Sequence, residues 1–341
     1  MKKLVFFLIV LTVFFLTVPP SLAATTSPSL SGIQIYPSDD VWNVRVDTLP
    51  LDAKSSSYVN SQSSAHLYMW DDFPINVVDG TTAKQLLKSI TYKQYSDNIP
   101  YPIPSNAVIQ TQDDHHLLIV DKSTDYLYEM YHASKNSDGT YSASVAVSYD
   151  LSSYALRNAP SVSADAAGLP MLPGLVRYDE IASGSINHAL RFATNELRNT
   201  YIWPARGAAG SSDSDSSLPP HGERFRLKAS FDTSKYPAQE RIVLEALKKY
   251  GMILADWNGG DSSTFHICSV PDSRVTIDWD SFSAIHMTDF EAVDESSLMI
   301  KKDSGQTGTM FPVLVIPLAG ICILAIGYGV VLLRRRFRRS F

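Results

Sequence analysis

Two unbroken apolar runs, one near each end of the chain, bracket a long middle where apolar residues come in short clusters between Gly, Pro, Asn, Asp and Ser. The middle clusters are rich in β-branched and aromatic residues, which predicts strands. The expected strands are Ile75–Val78, Leu117–Asp121, Tyr126–Tyr131, Ser142–Ser148, Ile186–Ala193, Tyr201–Pro204, Phe225–Ala229, Met252–Asp256 and Phe265–Val270. Inside "LLIVDKSTDYLYEMYHASKNSDGTYSASVAVSYDL" they read as a meander with "DKSTD" and "SKNSDGT" as turns. The period changes at "YPAQERIVLEALKKYG", residues 236–251, where Ile242, Val243, Leu247 and Tyr250 share a helical face. Ser234 or Thr233 can cap this helix, Pro237 suits its first turn, and Gly251 suits its end. Shorter helical pieces are expected at Asp52–Asn60 and Asp179–Ser183. Regular βαβ alternation and a Gly-rich phosphate loop are both absent. The pattern predicts an α+β domain, mainly antiparallel β, sandwich or jelly-roll-like, with one clear helix.

The terminal runs set the topology. Lys2 and Lys3 precede the apolar run Leu4–Val18, two prolines break it, and Ser21-Leu22-Ala23 supplies the small residues signal peptidase needs. Residues 1–23 therefore read as a secretory signal cleaved after Ala23, with an N-terminal membrane anchor as the alternative. Phe311 to Leu333 is 23 residues without a charge, long enough as a helix to cross roughly 30 Å of hydrocarbon. Arg334, Arg335, Arg336, Arg338 and Arg339 follow directly, and such a cluster stays on the cytoplasmic side. The expected protein is single-pass in the plasma membrane, N-terminus outside. It has a polar lead-in (24–31), an exported β-rich domain (32–294), a tether (295–310), a C-terminal transmembrane helix (311–333) and a basic cytoplasmic tail (334–341).

Charge and cysteine content narrow the function. Setting aside the two leader lysines and five tail arginines leaves 22 basic against 35 acidic residues, near −13. Such a surface argues against nucleic acid and suits a neutral or cationic ligand. Cys268 and Cys322 would lie on different sides of the membrane boundary and cannot pair, so burial must hold the exported domain together. Cys268 reads as a small buried residue. The low-complexity run "GAAGSSDSDSSLPPHG", residues 207–222, reads as a mobile loop whose flanks, YIWPAR and FRLKASF, look like strand partners.

Candidate chemistry is scattered over several segments. In "INHALRFATNELRNTYIWPARG" strand alternation puts Ile186, His188, Leu190 and Phe192 on one face and Asn187, Ala189, Arg191 and Ala193 on the other. His188 is then either a hydrogen-bonded core histidine or a general base tuned by burial. Trp203 offers a face for stacking on a sugar and Arg206 a fork for a carboxylate; the plainer reading is a core tryptophan and a structural ion pair. "SADAAGLPMLPGLVRYDEI" carries Asp165, the best single acidic candidate, with Asp179 and Glu180 at its exit, where Asp179 can cap a helix. "QTQDDHHLLIV" places His116 before a strand, where adjacent histidines point to opposite faces. Neither HExxH nor a Cys/His pair at zinc spacing occurs, so no metal and no cofactor is expected. His221 leads into Arg224, Arg226 and Lys228, which read as either a solvated edge strand or the basic rim of a cleft.

The words "DVWN" (40–43), "PYPIP" (100–104), "SADAAGLPMLPGLVRYDEI" (163–181), "INHALRF" (186–192), "YIWPAR" (201–206), "RFRLKASFD" (224–232), "ALKKYGMILAD" (246–256) and "SVPDSR" (269–274) resemble an uncharacterised family of secreted microbial proteins. The resemblance covers most of residues 40–275. It implies an exported single domain, often in organisms that break down or remodel polysaccharides, and it implies no particular reaction. Two positions depart from that pattern: Gly207 stands where a histidine is expected after WPAR, and His221 stands in place of an apolar residue.

The reading is a cell-surface protein that cleaves or binds an extracellular polysaccharide, as a glycoside hydrolase or polysaccharide lyase. The alternative is a non-enzymatic envelope component or adhesin. The expected catalytic residues are Asp165, Glu180 and His188; the expected substrate-binding residues are His116, Trp203, Arg206 and His221. An active cleft requires Asp165, His188, Arg206 and His116 to converge within about 8 Å.

Overall fold

Apolar runs between turn formers become the strands of two main sheets in the computed structural model, which describes residues 29–299 apart from Ser31, Asp113 and Ala155. The expected leader, transmembrane helix and tail lie outside the described residues. Among the described residues, no helix is long and apolar enough to cross a membrane. The protein is mainly β-sheet with few helices, and antiparallel pairings outnumber parallel ones seven to five among the described residues.

The smaller sheet holds, in spatial order, Val145–Asp150, Tyr126–Tyr131, Leu117–Asp121 and Ile75–Val78. Its central hairpin turns where the Asp121 side chain accepts from the Ser123 amide at 3.0 Å, as "DKSTD" predicts. The third arm of the expected meander divides. Tyr141–Ala143 joins a separate three-stranded sheet, and Val145–Asp150 pairs with Tyr126–Tyr131.

The larger sheet runs Phe290–Val293, Arg224–Leu227, Met252–Trp257, Leu190–Thr194, Thr264–Cys268 and His66–Trp70. Leu190–Thr194 is parallel to Met252–Trp257 and antiparallel to Thr264–Cys268. One face carries an apolar cluster of Leu190, Phe192, Phe225, Leu254 and Phe265 under the helix Ala238–Lys249. That helix contributes Val243, Leu244 and Leu247, and Gly251 ends it at φ 68°, where a Cβ would stand 2.3 Å from the Phe225 carbonyl oxygen. Thr233 and Ser234 do not cap it. They form their own turn, with the Asp232 side chain accepting from the Ser234 amide at 3.0 Å, and the helix begins only after Pro237.

A second cluster joins the two sheets. It takes Leu118, Val120, Leu127, Val145 and Val147 from the smaller sheet and Ile253, Ala255 and Cys268 from the opposite face of the larger one, with Ala189 just before the Leu190–Thr194 strand. Between the sheets runs the 163–181 loop, sewn to both. Glu129 of the smaller sheet accepts from the Met171 amide at 2.9 Å and the Leu172 amide at 3.0 Å. On the other side, Ala167 donates to the Ala255 carbonyl at 2.9 Å and Val176 to that of Cys268 at 2.9 Å. Gly174 permits the approach, since a Cβ there would lie 2.5 Å from the Arg191 amide nitrogen.

Three sequence expectations change here. The strand before the low-complexity loop, Arg198–Tyr201, pairs with Pro220–His221 and not with the FRLKASF segment. Arg224–Leu227 is an interior strand, so neither a solvated edge nor a basic rim describes it. Arg224 is fully buried and donates to the carbonyls of Tyr250 (2.6 Å) and Val41 (2.7 Å), and to Glu295 at 3.3 Å. The first residues of the expected tether belong to the fold: Ser296–Leu298 is a turn of 3-10 helix, and Leu298 and Met299 pack on the inter-sheet cluster.

Candidate functional site

Asp165 enters the space between the sheets from the 163–181 loop and meets Arg191, which the Leu190–Thr194 strand turns to the same side. The contact is two-pronged, Nε to Oδ2 at 3.0 Å and Nη2 to Oδ1 at 2.8 Å. The same Nη2 reaches Asp256 Oδ2 at 3.2 Å, and Nη1 lies 2.9 Å from the Cys268 sulfur. The guanidinium sits over the Phe73 ring, 5.6 Å from its centroid. The Asp165 and Asp256 oxygens that share Nη2 are therefore within about 6 Å of each other.

The two acids differ in access. The Asp165 side chain is 0 % exposed, whereas that of Asp256 is 27 % exposed. Burial and then the Asp165 charge push the Asp256 carboxyl well above the usual carboxylate range, with Arg191 opposing. The remaining solvent contact tempers this shift without changing its direction. Burial works against the Arg191 charge, but Asp165 outweighs it and holds the guanidinium cationic. Burial pushes the Cys268 thiol up to about 11, so it serves Arg191 as a neutral neighbour.

Two histidines flank Asp165. His116, from the start of Leu117–Asp121, is buried between Phe73 and Tyr131, with ring centroids 5.6 and 5.5 Å away. His221 is wholly enclosed. Burial lowers each to about 4, although the Asp165 charge acts in the opposite sense. Asp114 is exposed, interacts with Tyr131 and His116, and adds its charge to the field at Asp256.

The other expected site residues lie elsewhere. His188 and Glu180 pair with each other at 3.0 Å, the second His188 ring nitrogen meets the Ala189 carbonyl at 2.7 Å, and Arg177 closes on Glu180 at 2.7 Å. Burial pushes the Glu180 carboxyl up, but Arg177 and then His188 outweigh it and hold the group below its usual value. This is a core ion-pair cluster rather than part of a cleft with Asp165, so the convergence of Asp165, His188, Arg206 and His116 expected of an active cleft does not occur, and any acid/base centre must be built from other residues. Trp203 is 4 % exposed within the inter-sheet cluster and has no open ring face for stacking. Arg206 is buried beside the Asp165 loop, its amide donating to the Ala167 carbonyl at 2.8 Å, while its Nε turns to the Arg157 carbonyl at 2.7 Å.

The sequence reading singled out Asp165 as catalytic and His116 and His221 as substrate-binding; the structure buries all three, which leaves the two histidines no surface to offer a substrate, and it gives Asp165 the partners Arg191 and Asp256, which that reading missed. The available signal was a charged residue inside an otherwise apolar strand, at Arg191 in "HALRFA" and at Asp256 in "MILADW". Among the described residues, no group of three or more His, Cys, Asp or Glu side chains is arranged to hold a metal ion. A surface recess of about 400 Å³ lies among Lys228, Phe231, Lys235 and Asp289. It contains none of the Asp165–Arg191–Asp256 residues.

No family model matches the chain, and no curated protein or solved structure is similar to it.

Proposed function

We propose that the protein is a carbohydrate-active protein held at the cell surface, and that Asp256 is the acid/base of a centre that cleaves glycosidic bonds. One observation carries this reading: two carboxylates share a single buried arginine, and the solvent-open one keeps its proton to unusually high pH. Environments that separate paired carboxyls in this way mark acid and base roles. Protonated Asp256 donates to the glycosidic oxygen as the C–O bond breaks. Water then adds to the sugar carbon, and its proton passes to Asp114, the exposed carboxylate in electrostatic reach of Asp256. Asp165, fully enclosed, touches no substrate; it is a positioning residue that raises the proton affinity of Asp256.

The surface location rests on residues 1–23 and 311–333, which read as a leader and a transmembrane helix. The apolar cluster shared by the two main sheets supports a sandwich-like description of the exported domain. Full-length protein should depolymerise an uncharged polysaccharide, and Asp256→Asn should lower the rate by about 100-fold or more while leaving the melting temperature in place. An unchanged rate in Asp256→Asn sinks the assignment. The second reading, a non-enzymatic envelope component, is favoured by the complete enclosure of Asp165 and Arg191, as in a purely structural ion pair. Glycan binding without turnover on any tested polymer would select it.

A further inference from the structure

Next to Asp256 the larger sheet continues past the core it shares with the smaller one, and strand register fixes what lies there. Ala193 pairs with Asp256 on one side and with His266 on the other, and His266 pairs with Tyr68 of the edge strand. Asp256, Ala193, His266 and Tyr68 therefore form one row across four strands, with side chains on one face. In the next row Cys268 pairs with Trp70, and Arg191 reaches the Cys268 sulfur.

Neighbouring strands lie about 4.8 Å apart, so Asp256 and His266 flank Ala193 about 10 Å from each other. Ala193 is the smallest side chain of the row, and it and His266 are 7 % and 8 % exposed. His266 contacts the Tyr68 ring at 5.7 Å and the Trp70 ring at 5.6 Å. The Thr264 hydroxyl holds the His266 ring at Nε2, 2.8 Å away. Leu67 and Met69, on the opposite face of the edge strand, are fully buried, whereas Tyr68 and Trp70 are half-buried, so the aromatic face is the open one.

Resting on the acid/base reading of Asp256, we infer that this row is a glycan subsite in which the half-buried Tyr68 and Trp70 rings, braced by the enclosed His266, form the wall and Ala193 the floor for one uncharged pyranose beside Asp256. Flat aromatic faces match the C–H face of a sugar ring. Charge selects against acidic sugars. Asp71, Asp72 and Asp114 stand near Trp70, Thr111 and Tyr131, and the cation facing the row, Arg191, is buried and already engaged with Asp165, Asp256 and Cys268.

The test is a titration of the full-length protein with cellohexaose, N-acetylchitohexaose and hexagalacturonate, followed by tryptophan fluorescence and calorimetry. At least one uncharged hexamer should bind and hexagalacturonate should not. Tyr68→Ala and Ala193→Val should each weaken binding tenfold or more, Tyr68→Phe should keep it, and Asp256→Asn should bind without turnover. Should Ala193→Val fail to fold, the Tyr68→Ala and Tyr68→Phe pair carries the test. Failure of both uncharged hexamers to bind, equal binding of the uronate, or indifference to Tyr68→Ala overturns the subsite. Binding that follows this pattern with no turnover sinks the acid/base reading and leaves the subsite standing. Turnover that depends on Asp256 but not on Tyr68 does the reverse.

Discussion

Arg191 gives up its hydration to sit between the sheets, and what it meets there offsets that loss: a two-pronged carboxylate, a second carboxylate and a thiol. A buried ion pair of this kind is a weak source of net stability, but breaking it leaves a charge stranded. Asp165→Ala should therefore lower the unfolding free energy by about 3–5 kcal/mol, read from urea unfolding. A loss under about 1 kcal/mol, the scale of an exposed pair, would show that Arg191 does not depend on Asp165. The arrangement was half legible. Asp165 stands out because its loop is punctuated by proline and glycine. Its partners do not, because Arg191 is 26 residues away and Asp256 a further 65, and the chain alone does not say which strands become neighbours. Strand alternation does not place His188, because the strand expected over Ile186–Ala193 begins only at Leu190; His188 and Arg191 nonetheless serve separate buried clusters.

The 163–181 segment holds only a 3-10 turn, Leu172–Gly174, and the start of the helix Tyr178–Ser183, and several of its backbone groups bond to the elements around it. Glu129 does the most, accepting from two consecutive amides. Each buried donor left unpaired costs about 1–3 kcal/mol, so Glu129→Ala should speed hydrogen exchange at Met171 and Leu172 by at least tenfold. Unchanged exchange there would mean that other contacts hold the loop. Strands bounded by turn formers, such as Leu117–Asp121 and Tyr126–Tyr131, were readable to the residue. His66–Trp70 was not, because "HLYMW" carries large side chains on both faces and no β-branched residue, so no period-2 alternation marks it. The helix was readable in its body and not at its start, where Pro237 resets the boundary.

At the scale of the whole molecule, buried titratable groups give the fold a pH preference. Burial pushes Glu129 up to about 8, Glu295 to about 7 and Asp40 to about 6, and it holds Asp256 and Glu223 well above the carboxylate range. The folded state thus keeps protons that the unfolded chain releases above about 4.5. The resulting stability is complete below that point and is lost as pH rises through 6, 7 and 8. His116, His221 and His266, each lowered to about 4 by burial, contribute stability that is present above 6.5 and lost as pH falls below it. Between 6.5 and 8 the carboxylates decide, so the melting temperature should fall across that interval in a scanning-calorimetry series. A flat or rising profile would contradict the burial of these groups. Near the last described residues, Arg224 ties Glu295 to Val41 and Tyr250. Any pull on Glu295 is therefore not borne by the Phe290–Val293 strand alone. Arg224 spreads the load to the segment around Val41 and to the end of the long helix, so the fold meets mechanical tension as one body rather than peeling from its last strand.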